Sequence, residues 1–319
     1  MIDMRNGTST DFLSALDFEF TVHGEKEIGN GEDGFLYVLN NNGGAIGVLD
    51  GCGGAGAKKY AKFHDKSGAY MASRVVAGAT RDWFIDSCKN NDYSFDANKL
   101  KAVICDYLCL CKQIGGSTDS IIGTLTKEFP TTAAIIACSS SYDSVIAKVL
   151  WAGDSRCYCI DSCGLKQLTA DDIDGLDPME NLTADGVMTN VISASKEFCL
   201  HNKEFIFSTP CLLLTATDGC FGYYSTPMEF EYLLLSTLIS SNTVSEWEEL
   251  LSNELSEISG DDYSLSGMAF GFGSFNNVRD YYFHRYTDIM QGYISKLKDA
   301  SQEEKMKLWQ SYKLDYLKC

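Results

Sequence analysis

Acidic residues recur at the ends of apolar runs, beside glycine, and this placement is the feature of the chain best suited to chemistry. Glu32 and Asp33 precede Gly34-Phe35-Leu36-Tyr37-Val38, and Asp50 follows Leu49 in Leu49-Asp50-Gly51-Cys52-Gly53-Gly54. Asp218 sits in Ala216-Thr217-Asp218-Gly219, and Asp261 and Asp262 precede Tyr263-Ser264-Leu265. A carboxylate at the mouth of a buried strand is poorly hydrated, and several brought together repel unless a multivalent cation neutralises them. Oxygen donors without a His or Cys partner select Mg²⁺ or Mn²⁺ over zinc. Singly, each motif is weak, because Asp-Gly is first of all a turn dipeptide.

The elements that must position these residues are strands and hairpins interleaved with helices. Phe35–Leu39 and Ala45–Leu49, separated by Asn40-Asn41-Asn42-Gly43-Gly44, read as a hairpin, since Asn and Gly accept the positive φ of a tight turn. Met71, Val75, Ala79 and Trp83 recur at helical spacing, and a second helix is expected from Asp96 to Lys112. Strands are expected at Thr132–Cys138, Ser144–Trp151, Arg156–Ile160 and Leu212–Thr217, with a last one in Ser266–Phe272. Trp247, Leu250, Leu251, Leu255 and Ile258 trace one face of a helix. Short loops favour antiparallel pairing, so the expected class is α+β, antiparallel sheets carrying helices. From Asp171 to Asn202 periodicity is lost, which fits either a flap near a site or a solvated insertion. The last stretch, Asn276 to Cys319, has eight Lys+Arg against six Asp+Glu and reads as helical and amphipathic, so residues 1–275 form the body and 276–319 a C-terminal helical extension, docked on the body or binding a partner.

Composition narrows the function classes. With 26 Lys+Arg against 44 Asp+Glu, the 319 residues carry a net charge of −18, which disfavours gripping nucleic acid or an anionic membrane. No apolar run nears the ~20 residues of a membrane span. The N-terminal residues lack a charged-then-apolar signal pattern, so a cytoplasmic protein with no obligate oligomer is expected. The 13 cysteines are odd in number, never spaced C-x2-C, and matched by only four histidines, His23, His64, His201 and His284, to which no role is assigned. Cys105, Cys109 and Cys111 lie in an apolar stretch and are expected to act as small hydrophobes in a reducing compartment.

Taken in order, the motifs resemble those of the metal-dependent protein phosphatase family, the protein phosphatase 2C group with its bacterial Ser/Thr phosphatases, over roughly residues 15 to 275. The matching elements are Gly29-Asn30-Gly31-Glu32-Asp33-Gly34, Asp50-Gly51-Cys52-Gly53-Gly54, and Gly116-Ser117-Thr118. They continue with Ala152-Gly153-Asp154-Ser155-Arg156, Gln167-Leu168-Thr169-Ala170-Asp171-Asp172, Thr217-Asp218-Gly219 and Asp261-Asp262-Tyr263-Ser264. The resemblance implies a four-layer α/β/β/α sandwich, two antiparallel sheets flanked by helix pairs, with two Mg²⁺ or Mn²⁺ ions at one end. It implies that Asp50 bridges both ions, the Gly51 carbonyl binds one, and Asp218 and Asp261 complete the other. Glu32 and Asp33 would hold waters beside the ions, and Asp154 would serve a weak third ion. The implied activity is hydrolysis of phosphate monoesters on Ser/Thr phosphoproteins by in-line attack of an activated water, with no protein nucleophile.

The chain departs from the family pattern at three positions. Cys52 replaces the His proposed as general acid in many eukaryotic members, and a spectator role is expected for it. Ile28 occupies the place of a phosphate-binding Arg, leaving Lys26 as a poorer substitute because a point charge matches phosphate less well than a planar fork. Gly222 stands where some members have an acid that strengthens the third-metal site. Asp154 and Arg156 are also readable as a local charge pair in a turn, and Ser117 and Thr118 as turn and cap residues. Two other readings remain open: a catalytically weak pseudophosphatase acting as a binding or regulatory module, and a phosphatase for small esters.

Overall fold

A computed structural model of the chain describes residues 12–116, 127–141, 143–174, 177–182, 186–298 and 300–318. Ser117 and Thr118 lie outside the described residues. The strands are β1 (Leu16–Gly24), β2 (Gly34–Asn40), β3 (Gly43–Leu49), β4 (Lys59–Tyr60), β5 (Lys66–Ser67), β6 (Ala133–Ser141), β7 (Ser144–Ala152), β8 (Arg156–Asp161), β9 (Gly164–Gln167), β10 (His201–Ser208), β11 (Cys211–Ala216) and β12 (Tyr263–Phe270). The helices are α1 (Phe12–Ala15), α2 (Gly53–Gly56), α3 (Gly68–Lys89), α4 (Ala97–Gly115), α5 (Asp218–Phe221), α6 (Pro227–Ser240), α7 (Val244–Ile258), α8 (Phe275–Ile289), α9 (Ser295–Leu297) and α10 (Gln302–Tyr316).

Two five-stranded antiparallel sheets form the centre, in the orders β1-β12-β11-β8-β9 and β10-β7-β6-β3-β2. Side chains along a strand point alternately to opposite faces, and here that period of two divides the core. On β11, Cys211 and Leu213 pack between the sheets, while Leu212, Leu214 and Ala216 face the helices. On β6, Ala134, Ile136 and Cys138 face the other sheet, and Ala133, Ile135 and Ala137 face α3 and α4. The central strands β3, β11 and β12 are buried on both faces, and β3 and β11 accordingly read as nearly continuous apolar runs. The layers are α3–α4, sheet, sheet, and the group of α6, α7, α8 and α10, an α/β/β/α sandwich as the motif order implied.

Local chemistry accounts for the expected elements. Asn41 and Asn42 alone turn β2 into β3, and the Asn40 side chain accepts from the Asn42 and Gly43 amides. Asp96 and Ser67 cap α4 and α3 by accepting backbone N–H groups. Cys111 is buried as expected, but Cys105 and Cys109 are exposed. On α4 the apolar stripe is Leu100, Ile104, Leu108 and Cys111, and the helical period turns residues 105 and 109 away from it.

The C-terminal extension packs into the same core as the helix-facing side of β8 and β11. Trp309 is fully buried, with Tyr312 and Tyr316 beside it. Arg285 on α8 makes a bidentate ion pair with the fully buried Glu231 of α6, at 2.6 and 2.8 Å, and Tyr312 donates to the same carboxylate at 2.5 Å. A guanidinium and a phenol together satisfy a carboxylate that would otherwise be costly to bury. Among the described residues no helix is long and apolar enough to cross a membrane.

Candidate metal centre

Strand register decides where the acidic residues go. Gly34 pairs with Leu49, so Asp33 and Asp50 emerge side by side from β2 and β3. Ala216 pairs with Arg156 and with Leu265, so Asp154, Asp218 and the residues before Tyr263 emerge from the same end of the facing sheet. Asp50 consequently feels Asp218, Asp33, Asp154 and Asp261, and burial together with these like charges holds its carboxyl well above the usual range. Burial, opposed by the Thr217 hydrogen bond and reinforced by Asp218, pushes Asp33 up to about 8, and burial with Asp218 pushes Asp154 up to about 7. Asp218 is raised by burial and by Asp261.

Each residue is held by identifiable partners. The Asp50 amide donates to Thr132 Oγ1 at 3.2 Å, while its carbonyl accepts from the Thr132 amide at 2.8 Å and Thr131 Oγ1 at 2.7 Å. Gly51 bridges to Thr131, and a Cβ there would stand 2.6 Å from the Glu32 carbonyl and 2.7 Å from that of Ala69, so the close approach of backbone requires glycine. Asp33 accepts from Thr217 Oγ1 at 2.8 Å. Glu32 accepts from Ser67 Oγ at the start of α3. Asp154 follows Gly153, whose φ of +93° makes the turn from β7 into β8. Asp261 is exposed at the rim.

The structure adds partners that the sequence does not reveal, for Asp262, one of the strand-end acids, and for Arg74. Asp262 accepts from the Lys26 amide through Oδ1 at 2.8 Å and from the Glu32 amide through Oδ2 at 2.6 Å, clamping the loop before β2 to the start of β12. Arg74 donates to the Gly31 carbonyl at 2.9 Å and stacks on Tyr70, holding that loop from α3. The charge pair expected between Asp154 and Arg156 is not formed. Arg156 is 1% exposed and makes a bidentate pair with Asp171 at 3.0 and 2.6 Å, with Phe221 under its plane. Asp171 lies 15 residues away but returns to the turn because the segment after β9 folds over this end of the sandwich. That segment reaches the site, since Ile173, Asn181 and Gly186 line a cleft of ≈ 310 Å³ with Asp154 and Asp218.

A second cleft, ≈ 340 Å³, is lined by Lys26, Lys59 and Lys66 together with Glu27, Glu32, Asp65, Asp261 and Asp262. Lys26 extends from the exposed loop, and Ile28 is 96% exposed. Cys52 Sγ stands 4.0 Å from the Asp50 carbonyl, and burial with Asp50 and Asp154 holds its thiol well above the usual range.

The donor set fits a hard divalent cation. It is all oxygen, its carboxylates raise one another, and Asp154 Oδ1 is buried with no hydrogen-bond partner. Among the described residues, no three His, Cys, Asp or Glu side chains stand close enough as placed to form a finished cage.

No protein-family model matches the sequence, and no curated protein matches it either. Solved structures do match the fold. The Ser/Thr phosphatase Stp1 from Staphylococcus aureus aligns with a TM-score of 0.58 at 18% identity, over 85% of this chain and 100% of that one. The Mycobacterium tuberculosis Ser/Thr phosphatase PstP/Ppp aligns with a TM-score of 0.53 at 15% identity, over 80% and 99%. The catalytic domain of PstP in complex with two manganese ions aligns with a TM-score of 0.51 at 16% identity, over 80% and 98%. The chain thus has the fold of the bacterial metal-dependent Ser/Thr phosphatases, with its conspicuous carboxylates gathered at one end of the sandwich.

Proposed function

We propose that the protein is a Mg²⁺/Mn²⁺-dependent Ser/Thr phosphoprotein phosphatase. The observation that carries this reading is the convergence of Asp33, Asp50, Asp154, Asp218 and Asp261 from both sheets onto one end of the sandwich. Asp50, the Gly51 carbonyl, Asp218 and Asp261 would hold two ions, with Glu32 and Asp33 alongside and Asp154 available to a weaker third. Bound there, divalent cations lower the pKa of a water and neutralise charge on the phosphoryl oxygens.

The protein's own residues supply position and charge. Thr131, Thr132 and Thr217 fix Asp50 and Asp33, so little reorganisation is needed as charge moves to the phosphoryl group. Asp262 and Arg74 hold the loop that carries Glu32 and Lys26. Lys26, exposed on the loop before β2, is the candidate contact for the phosphate, in a cleft whose carboxylates outnumber its lysines. Cys52 is a spectator in this reading. A cytoplasmic phosphoprotein substrate goes with this reading.

The test is hydrolysis of a phosphothreonine peptide and of p-nitrophenyl phosphate by purified protein with Mn²⁺, Mg²⁺ or chelator. Manganese-dependent turnover abolished by chelator supports the reading, and comparison of the two substrates separates a phosphoprotein enzyme from a small-ester phosphatase. A binding module without turnover is the second reading, favoured by the fully exposed Ile28 where a phosphate-binding Arg would stand. Metal binding without hydrolysis of either substrate would establish it.

A further inference from the structure

A second constellation lies at the start of the edge strand β10, where His201 pairs with Trp151 of β7. Cys199 is exposed, and its Sγ stands 3.7 Å from His201 Nδ1. His201 Nε2 stands 2.8 Å from Asp172 Oδ1. An ionised carboxylate only accepts, so Nε2 carries the ring proton and Nδ1 presents its lone pair to the thiol. Trp151 stacks on the imidazole with ring centroids 5.1 Å apart. Asn190 completes the frame: its Oδ1 accepts from the Cys199 amide at 3.0 Å, and its Nδ2 donates to the Cys199 carbonyl at 2.9 Å and to Asp172 Oδ2 at 2.6 Å. Nucleophile, base and orienting carboxylate are each within reach of the next, the geometry of an activated thiol.

We propose that Cys199, His201 and Asp172 form a reactive-thiol site that takes low-molecular-weight disulfides, making Cys199 a site of reversible modification. The Cys199 thiol passes its proton to His201 Nδ1, and its sulfur attacks one sulfur of the disulfide. A new S–S bond forms to Cys199 as the old S–S bond breaks, and the departing thiolate takes the proton from His201. Cys199 is oxidised to a mixed disulfide, half of the reagent is reduced to a free thiol, and a reducing thiol reverses the step. The site stands whether or not the acidic cluster hydrolyses phosphate. The two are physically connected, because Asp172 Oδ2 also accepts from the Gly153 amide, at 2.9 Å, in the turn that carries Asp154.

The experiment is time-resolved labelling of the native full chain with iodoacetamide, and separately with glutathione disulfide, followed by peptide mass spectrometry. Cys163, exposed on the turn between β8 and β9, is the internal reference, with Cys105 and Cys109 as further controls. Cys199 is expected to react about tenfold or more faster than Cys163, since a free thiol is only a few per cent ionised near neutral pH. In His201→Gln that advantage should vanish while Cys163 keeps its rate, and the glutathione adduct should disappear with dithiothreitol. Equal rates at Cys199 and Cys163 in the wild type, or an undiminished advantage in His201→Gln, would overturn the proposal. The wild-type comparison needs no variant, so a folding defect leaves it decisive.

Discussion

Replacing Asp33 by Asn should stabilise the chelated protein, with an effect that grows with pH. Asp33 is 2% exposed, and burial and its acidic neighbours raise its carboxyl to about 8. At pH 7 it is therefore mostly protonated when folded and ionised when unfolded, so the unfolded state is favoured. The sign follows: the full contribution to stability is present below the unfolded pKa of about 3.9 and is lost as pH rises toward 8. About three pH units separate that onset from neutrality, each worth about 1.4 kcal/mol, so the ceiling at pH 7 is about 4 kcal/mol. Asn mimics the neutral acid, can still accept from Thr217 Oγ1, and has no ionised unfolded form. Urea unfolding in chelator at pH 4, 5.5 and 7 should show Asp33→Asn level with wild type at pH 4 and more stable by about 2–4 kcal/mol at pH 7. With Mn²⁺ the order should narrow or reverse, because cations that bind only the folded state stabilise it by mass action, about 2.7 kcal/mol at a hundredfold excess over Kd, and the Asn variant binds them less well. A pH-independent gap in chelator, or an Asn variant weaker than wild type at pH 7, would refute the reasoning.

Other perturbations probe separate parts of the molecule. Asp218→Asn should abolish manganese-dependent hydrolysis while leaving the circular dichroism spectrum unchanged, and near wild-type turnover would sink the metal assignment. Cys52→Ser should change the maximal rate by less than about tenfold, against the 10²–10⁴-fold typical of losing a general acid. Asp171→Asn should destabilise the fold by about 3–5 kcal/mol, because it strands the buried Arg156 guanidinium, and a denaturation midpoint within error of wild type would show the pair to be dispensable. Trp309→Ala should cost about 3–5 kcal/mol in urea unfolding if α10 is part of the core, whereas a change under 1 kcal/mol would make the extension a detachable appendage.

Much of the layer order was legible because the central strands are covered on both faces. A strand so placed is a continuous apolar run, as in Leu212–Ala216, and turn residues such as Asn40 to Gly44 punctuate it without ambiguity. Less legible were β1, β9, β10 and α6. On β10 Phe205 and Phe207 pack inward while Asn202, Glu204, Ile206 and Ser208 face out from an edge strand, and α6 is apolar on nearly every face, so its period is weak. The strand-end acids were visible as a set, since Asp beside Gly at the mouth of an apolar run has few structural reasons to recur.

The sequence by itself determined the alternation, the turns and the identity of the acidic residues, because these depend on neighbours a few positions away. Only the tertiary structure decided which charges meet. Arg156 takes Asp171 rather than Asp154, Asp262 ties two loops 230 residues apart, Glu231 waits for Arg285 and Tyr312 of the extension, and Cys199 finds His201 aimed by Asp172. Partner choice among buried polar groups is set by the register of antiparallel strands and by the cost of leaving any one of them unpaired, and both are properties of the packed molecule rather than of any local stretch of chain.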